Sequence, residues 1–178
     1  MRYITKVVSP LGKLTLASDG ESLTGLWLDG QKYYAAGLCA NAEANDALPV
    51  FAQAKAWLES YFAGKKPSPA ALPLAPIGSD FRQAVWKLLL EIPYGACTTY
   101  GALAAQLAAQ GKNGMSAQAV GGAVGHNPIS IIIPCHRVVG ANNSLTGYAG
   151  GLDAKIRLLT LEGAPVADFT VPKKGTAL

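Results

Sequence analysis

A proline-rich segment near the middle of the chain is the feature that most restricts its fold. Residues 63–79, AGKKPSPAALPLAPIGS, contain prolines throughout and show no hydrophobic periodicity. Proline has no backbone N–H and fixes φ, so this segment suits an extended linker better than a helix or a central strand. We therefore predict two domains, residues 1–66 and residues 80–178, joined by a linker over residues 67–79.

The first of these regions has a strand pattern followed by one helix. YITKVVSPLGKLTLASDGESLTGLWLDG contains three β-like runs separated by SPLG and SDGES turns, which predicts an antiparallel meander. LPVFAQAKAWLESYFAG then ends at Gly64 and has apolar residues at helical spacing, namely Val50, Ala54, Trp57, Leu58 and Tyr61. We expect a small sheet packed by one helix, without a convincing catalytic set.

The second region has a helical pattern. SDFRQAVWKLLLEIP begins with Ser79 as a plausible N-cap, stops at Pro93 and has an apolar face of Phe81, Val85, Trp86, Leu89 and Leu90. TTYGALAAQLAAQ and SAQAVGGAVGHN follow, joined by a GKNGM turn. They outline either a helix-turn-helix or an ordinary helical hairpin. The fold class is α+β: a small N-terminal antiparallel sheet with a helix, then a mainly helical C-terminal domain containing a helix-turn-helix.

The last of these helices is unusually poor in side chains. Its alanines and glycines, with Gly121 and Gly122 adjacent, leave one side almost bare although glycine lowers helix stability. Small residues suit a place where another helix or a DNA groove approaches the backbone. Such a helix has too few donors to read base edges in detail, so shape-based contact with a groove is favoured.

Composition and charge exclude several classes of protein. The net charge of the 178-residue chain is +4, and residues 67–178 hold eight Lys/Arg against five Asp/Glu. This excess is compatible with phosphate contacts but is far below the basic stripe of a strong non-specific DNA binder. No apolar stretch is long enough to span a bilayer, and the N-terminus lacks the features of a signal peptide. We expect a cytoplasmic protein that makes no membrane contact.

Neither a metal site nor a disulfide framework is expected. The chain has two histidines and no CxxC or HxxxH spacing. Its three cysteines, Cys39, Cys97 and Cys135, are an odd and widely spaced set.

One short stretch, IIIPCHRVVG at residues 131–140, brackets three polar side chains with apolar runs. The pattern predicts a buried strand that ends at a Pro134 turn. Cys135, His136 and Arg137 then form either a structural network or a reactive site. A thiol needs a base or a positive environment, but adjacent side chains point apart, so His136 would act across the turn or through a water. Glu162 is the carboxylate available to orient the histidine.

At these residues the chain resembles the methylated-DNA–protein-cysteine methyltransferases, also called O6-alkylguanine-DNA alkyltransferases. IPCHRVVG, AVGGAVGHNPISII before it and GYAGGLDAKIRLLTLEG after it carry the resemblance, which is dense over residues 79–163. It implies that Cys135 accepts an alkyl group from guanine O6, with His136 acting through a water and Glu162 holding the histidine. Tyr100 would help to rotate the target nucleotide and donate its hydroxyl toward the purine.

The resemblance also implies the remaining site residues. The substrate-binding set is Val138, Tyr148, Ala149 and Asn127, and the DNA-binding set is Thr99, Ser116, Gln118, Ala119 and Gly122. Arg137 resembles an interior structural arginine. The implied activity is irreversible, single-turnover repair of double-stranded DNA containing O6-alkylguanine, or O4-alkylthymine, with nucleotide flipping and minor-groove binding. A monomer without a cofactor is expected.

The chain departs from this family at Gln118, where an arginine usually fills the gap left by the rotated nucleotide. Glutamine has no charge and a smaller plane, so it stacks less well and attracts phosphates less. We expect weaker DNA binding or slower nucleotide rotation. The alternative is a weakly active or non-catalytic reader of alkylated DNA, or an alkylation sensor.

Overall fold

The computed structural model describes residues 2–39, 41–111 and 114–171. The chain divides into two compact units. The first unit is Met1–Ile77 with Pro128–Ile132, and the second unit is Gly78–Asn127 with Ile133–Leu178. The domain boundaries at residues 66 and 80 stay predictions.

A four-stranded sheet forms the first unit. Strands β1 (Tyr3–Ser9), β2 (Gly12–Ser18) and β3 (Leu23–Leu28) make the predicted antiparallel meander, with Leu16 opposite both Thr5 and Leu26. A short strand β4 (Glu43–Ala44), which we did not predict, pairs in parallel with β1 and gives the order β3-β2-β1-β4. The sheet is therefore mixed at one edge.

One helix packs in the first unit, as its spacing predicts. Helix α1 (Pro49–Phe62) buries Val50, Phe51, Ala54, Trp57, Leu58 and Tyr61. The proline-rich segment that follows contains a 3-10 turn at Pro69–Ala71. It then runs beside β3, where the Leu23 N–H donates to the Pro73 carbonyl at 2.8 Å and the Ala75 N–H donates to the Leu23 carbonyl at 2.9 Å. Part of the predicted linker thus extends the edge of the sheet.

The second unit is mainly helical, which confirms the α+β fold class. Its helices are α2 (Asp80–Leu90), α3 (Tyr100–Ala109), α4 (Ala117–Gly125) and α5 (Leu152–Leu161), and its two short strands β5 (Thr98–Thr99) and β6 (Val138–Val139) pair in parallel. Ser79 caps α2, as predicted, by accepting the Arg82 N–H. Leu90, predicted on the apolar face of α2, is instead 37 % exposed, and Leu88 is buried.

Helices α3 and α4 are the predicted helix-turn-helix pair. Both are held against α2, in part because the Trp86 indole N–H donates to the Ala123 carbonyl at 2.9 Å. Residues 112 and 113 of the predicted turn lie outside the described residues. Within the described ranges, no helix has both the length and the apolar character needed to cross a membrane.

The apolar run before Cys135 is buried as expected, but the prediction of a strand is wrong. Ile131 has φ 71°, and the Ile132 N–H donates to the Ser130 carbonyl at 2.8 Å, which defines a γ-turn. Pro134 has φ −83° and ψ 63°, and the Cys135 N–H donates to the Ile133 carbonyl at 2.8 Å, which defines an inverse γ-turn. The apolar pattern predicts burial but does not distinguish tight turns from a strand.

Candidate active site

Cys135 begins a buried 3-10 turn, Cys135–Arg137, directly after the inverse γ-turn at Pro134. The residue is 3 % exposed. Its Sγ accepts an N–H from Asn127 Nδ2 at 3.0 Å, and the same amide donates to the Ile133 carbonyl at 2.8 Å. Asn127 therefore fixes both the thiol and the turn that precedes it.

Glu162 lies at the end of α5 and joins His136 to Arg137. Its Oε1 is 2.8 Å from His136 Nε2 and accepts from Arg137 Nη2 at 2.9 Å, while its Oε2 accepts from Arg137 Nε at 2.8 Å. Arg137 Nη1 donates to the Ile92 carbonyl at 2.6 Å, so the arginine has the interior structural role expected of it. Gly95 has φ 78°, and a Cβ there would lie 2.7 Å from the Glu162 carbonyl oxygen, so this close approach requires glycine.

Burial sets the ionisation of the two central groups. It lowers the pKa of His136 more than hydrogen bonding to Glu162 raises it, so the imidazole is neutral near pH 7 and can accept a proton. Burial raises the pKa of the Cys135 thiol, while the Asn127 hydrogen bond and the nearby Lys155 charge lower it. The resting thiol is thus protonated and needs a base.

Lys155 is a member of this site that our sequence analysis missed. It is fully buried on α5, and its Nζ donates to the Val138 carbonyl at 2.6 Å and to the Thr146 carbonyl at 2.7 Å. Burial lowers its pKa to about 8, against the charges of Cys135 and Cys97. Its position three and four residues before the apolar Leu158 and Leu159 was the available signal, because residues so spaced share a helix face.

Two tyrosines border the thiol region. Tyr100 opens α3, and its hydroxyl donates toward the carbonyls of Thr146 at 3.3 Å and Gly147 at 3.2 Å. Burial raises the pKa of Tyr100 to about 12, so the phenol remains a proton donor. Tyr148 packs edge-on to the His136 ring with centroids 6.4 Å apart, and its buried hydroxyl has no hydrogen-bond partner among the described residues.

Three of the predicted catalytic residues lie close together, and two of the predicted substrate-binding residues lie with them. Cys135, Asn127, His136, Glu162 and Tyr148 lie in one buried region of the second unit. The carbonyl of Val138, a predicted substrate-binding residue, accepts the Lys155 ammonium. Ala149 is half-buried.

The predicted DNA-binding residues lie on α3 and α4 and include two helix caps. Thr99 Oγ1 accepts the Ala102 N–H and Ser116 Oγ accepts the Ala119 N–H, both at 3.1 Å. Gln118 and Ala119 are exposed. A Cβ added at Gly122 would have no atom within 4 Å. Intramolecular packing does not require glycine there, so the bare surface is available to an external partner.

No three potential metal ligands of the His, Cys, Asp and Glu types cluster in residues 2–39, 41–111 and 114–171.

Comparison with known proteins identifies similarity along nearly the whole chain. The family model described as "6-O-methylguanine DNA methyltransferase, DNA binding domain" matches residues 80–164, and the one described as "6-O-methylguanine DNA methyltransferase, ribonuclease-like domain" matches residues 2–76. The methylated-DNA–protein-cysteine methyltransferase of Haemophilus influenzae is 45 % identical over 168 residues, covering 93 % of this chain and 89 % of that protein. The homologue from Mycobacterium bovis is 43 % identical over 172 residues, covering 96 % and 99 %. The structure of Mycobacterium tuberculosis OGT in complex with DNA matches with a TM-score of 0.78 and 44 % identity, covering 93 % of this chain and 96 % of that one.

Proposed function

Because this chain belongs to the methylated-DNA–protein-cysteine methyltransferase family, we propose that it repairs DNA by moving an alkyl group from guanine O6 to Cys135. The observation that carries the proposal is the buried arrangement in which Asn127 holds the thiol and Glu162 holds His136. A thiol, a neutral imidazole and an orienting carboxylate are the groups that nucleophilic transfer requires.

The reaction is one displacement at the alkyl carbon. His136 takes the thiol proton through a bridging water, and the Cys135 sulfur forms a bond to the alkyl carbon as the carbon–O6 bond breaks. The bonding electrons pass to the guanine ring, the Tyr100 phenol gives its proton to the purine, and the proton held by His136 returns through water to the Tyr100 phenolate. The product is a neutral thioether on Cys135 beside a restored guanine. Since a thioether is not readily hydrolysed, each chain acts once.

The charges buried around Cys135 support this chemistry. Arg137 and Lys155 are two cations, Glu162 is one carboxylate, and His136 is neutral. The cluster carries one net positive charge, and because the thiol proton moves to His136 within it, the cluster other than the thiol becomes more positive as the thiolate forms. An opposite charge within a few ångströms favours the ionised thiol.

Binding of the rotated base requires hydrogen-bonding groups that can exchange their present contacts for contacts with the base. O6 of a paired guanine faces into the duplex, so the nucleotide must rotate out before it meets the thiol. Tyr148 offers a buried hydroxyl that has no partner in the described parts of the chain. Tyr100 must exchange its contacts with Thr146 and Gly147 for the base, since its hydroxyl has a single proton. Val138 and Ala149 supply backbone groups.

DNA is the partner of the second unit. We also propose that the protein prefers O6-alkylguanine, acts as a monomer and is located in the cytoplasm. Gln118 is expected to slow nucleotide rotation. The full set of groups around Cys135 argues against the alternative of a non-catalytic reader, which would not require a base and an orienting carboxylate at the thiol.

Peptide mass spectrometry tests the proposal. The protein is incubated with duplex DNA containing O6-methylguanine, and the peptide containing Cys135 is examined for the mass of one added CH2 group. We expect the gain in wild type and in Cys97→Ser, but not in Cys135→Ser. A wild-type protein whose Cys135 peptide stays unchanged while DNA is bound would refute transfer and favour the reader.

A further inference from the structure

The loop between α2 and β5 contacts both members of the ion pair beside His136. The Ile92 carbonyl accepts an N–H from Arg137 Nη1 at 2.6 Å, and the Gly95 N–H donates to Glu162 Oε2 at 3.1 Å. Within the pair, Glu162 Oε1 has two partners, His136 Nε2 at 2.8 Å and Arg137 Nη2 at 2.9 Å. Because one oxygen serves both residues, a shift of the guanidinium also shifts the atom that orients the imidazole.

Tyr94 is the aromatic residue of this loop, and its side chain contacts both the pair and the end of α5. Its ring centroid is 5.7 Å from Cζ of Arg137, which is within the range of a cation–π interaction. Its hydroxyl donates to the Leu161 carbonyl at 3.2 Å, one residue before Glu162. One side chain therefore connects the guanidinium to the helix end that carries the carboxylate.

Burial keeps this ion pair strong, and Tyr94 lies at its outer side. The Glu162 side chain is fully buried and the Arg137 side chain is 9 % exposed, whereas Tyr94 is half-buried with its ring over the guanidinium. An ion pair weakens when water reaches it, because the effective dielectric constant rises. Burial and the Glu162 charge raise the pKa of the Tyr94 phenol, so it keeps the proton that it donates to the Leu161 carbonyl.

We propose that Tyr94 is a positioning residue for alkyl transfer, which holds Arg137 and the end of α5 so that Glu162 orients His136. The inference rests on the proposed function, because it concerns the base that takes the thiol proton. A displacement of about 1 Å caused by a remote substitution can lower a rate by about 100-fold. Tyr94 acts through two other residues, so we expect a loss of about 10-fold.

Single-turnover transfer from an O6-methylguanine duplex tests the proposal, with the protein in excess and its concentration varied. Tyr94→Leu removes the ring, and Tyr94→Phe keeps the ring over Arg137. We expect the rate at saturation to fall about 10-fold in Tyr94→Leu and less than about 3-fold in Tyr94→Phe. The half-saturating protein concentration should stay unchanged in both variants, because the ring is proposed to act on the reaction step and not on DNA binding.

Two further variants keep the test decisive. Tyr94→Met also removes the ring but fills more of its volume, so it should show the same loss and replaces Tyr94→Leu if that variant does not fold. Phe62→Leu is the matched control, since Phe62 is a half-buried aromatic residue of the first unit that packs edge-on to Tyr61. Its transfer rate at saturation should equal that of wild type.

Three results would overturn the proposal: an unchanged rate at saturation in the ring-removing variants, a loss in Tyr94→Phe as large as theirs, or a loss that appears only in the half-saturating concentration. An equal loss in Phe62→Leu would also overturn it, because loss of any ring would then slow transfer. The wild-type protein separates the two proposals. A wild type that adds no methyl group to Cys135 refutes alkyl transfer, whereas a wild type that transfers no faster than Tyr94→Leu refutes the role of Tyr94 alone.

Discussion

The interior and the outer surface of the second unit use charge in opposite ways. Around Cys135 the unit buries two cations, a carboxylate and an imidazole, whereas its exposed helix pair α3–α4 has no ionisable side chain except the Tyr100 phenol. Buried charges are costly unless they are paired and hydrogen-bonded, while a surface charge costs little. Charged side chains are therefore present in the interior, where their burial lowers stability, and absent from α3 and α4, where exposed charges would cost little stability. Under the proposed function, the buried ionisable groups serve the reaction and DNA contact relies on shape.

Among the substitutions in the interior network, Glu162→Gln is expected to lower the free energy of unfolding most. Glutamine keeps the size of the side chain but leaves Arg137 without its buried carboxylate partner. Removing one partner of a buried pair costs about 3–5 kcal/mol in the free energy of unfolding, and the transfer rate should fall with it. Urea denaturation and a single-turnover transfer assay measure both effects.

Asp153→Asn is the matched control, since Asp153 is an exposed carboxylate on the same helix, α5. It should change the free energy of unfolding by less than about 1 kcal/mol. If Glu162→Gln were as stable as this control, the carboxylate would not be a paired member of the interior network.

The Lys155 ammonium should make stability rise with pH. Its pKa is about 8 in the folded protein and 10.5 ordinarily, so between these values the unfolded chain binds a proton that the folded protein has released. At pH 7 both states are charged, and burial of the charge lowers stability by about 3 kcal/mol. The difference in unfolding free energy between wild type and Lys155→Met should rise from about pH 8 to about 10.5.

Lys87→Met, which removes an exposed lysine from α2, serves as the control and should follow the wild-type pH profile. A wild-type minus Lys155→Met difference that does not change with pH would contradict the account of Lys155 as a buried cation.

Tyr148→Phe should separate stability from function. The Tyr148 hydroxyl is buried without a partner among the described residues, so its removal should raise the free energy of unfolding by about 1–2 kcal/mol. The rate of alkyl transfer should fall, because the Tyr148 hydroxyl is proposed to bind the rotated base. Tyr100→Phe removes a donor that does have partners and should lower stability instead. A loss of stability in Tyr148→Phe would contradict an unpartnered hydroxyl.

The outer surface gives the smallest expected effect. Gln118→Arg adds a cation that stacks where the nucleotide leaves, which is worth about 0.5–1 kcal/mol, or a few-fold in the repair rate of duplex DNA. Transfer from free O6-methylguanine should not change, because the pocket is untouched. Competition between the two substrates in one assay measures the ratio. A variant that repairs duplex no faster than wild type would show that Gln118 does not limit repair.

Much of the fold follows from local patterns, and the site follows only partly. Turn residues and apolar periodicity predict β1, β2, β3, α1, α2, α3 and α4, because these signals are local in sequence. The contact between His136 and Glu162 joins residues 26 positions apart, and it was expected from the need for a carboxylate to orient the histidine and from the family motif. No local pattern specifies such a distance.

The errors have physical reasons. Burial of the apolar run before Cys135 is compatible with γ-turns as well as with a strand, so composition could not exclude the turns at Ile131 and Pro134. Lys155 was overlooked because a lysine in an amphipathic helix is usually exposed, and only its two carbonyl partners make burial tolerable. The charge of the described surface could not be predicted, because the sequence does not show which Lys and Arg side chains are buried.

The most direct test of the central claim is the number of guanines restored per protein chain. Wild-type protein is mixed with excess O6-methylguanine duplex, and restored guanine and methylated Cys135 are quantified over time. We predict that both reach one per chain and then stop, because the thioether is not hydrolysed. Continued restoration of guanine beyond one per chain, or restoration without methylation of Cys135, would contradict the account.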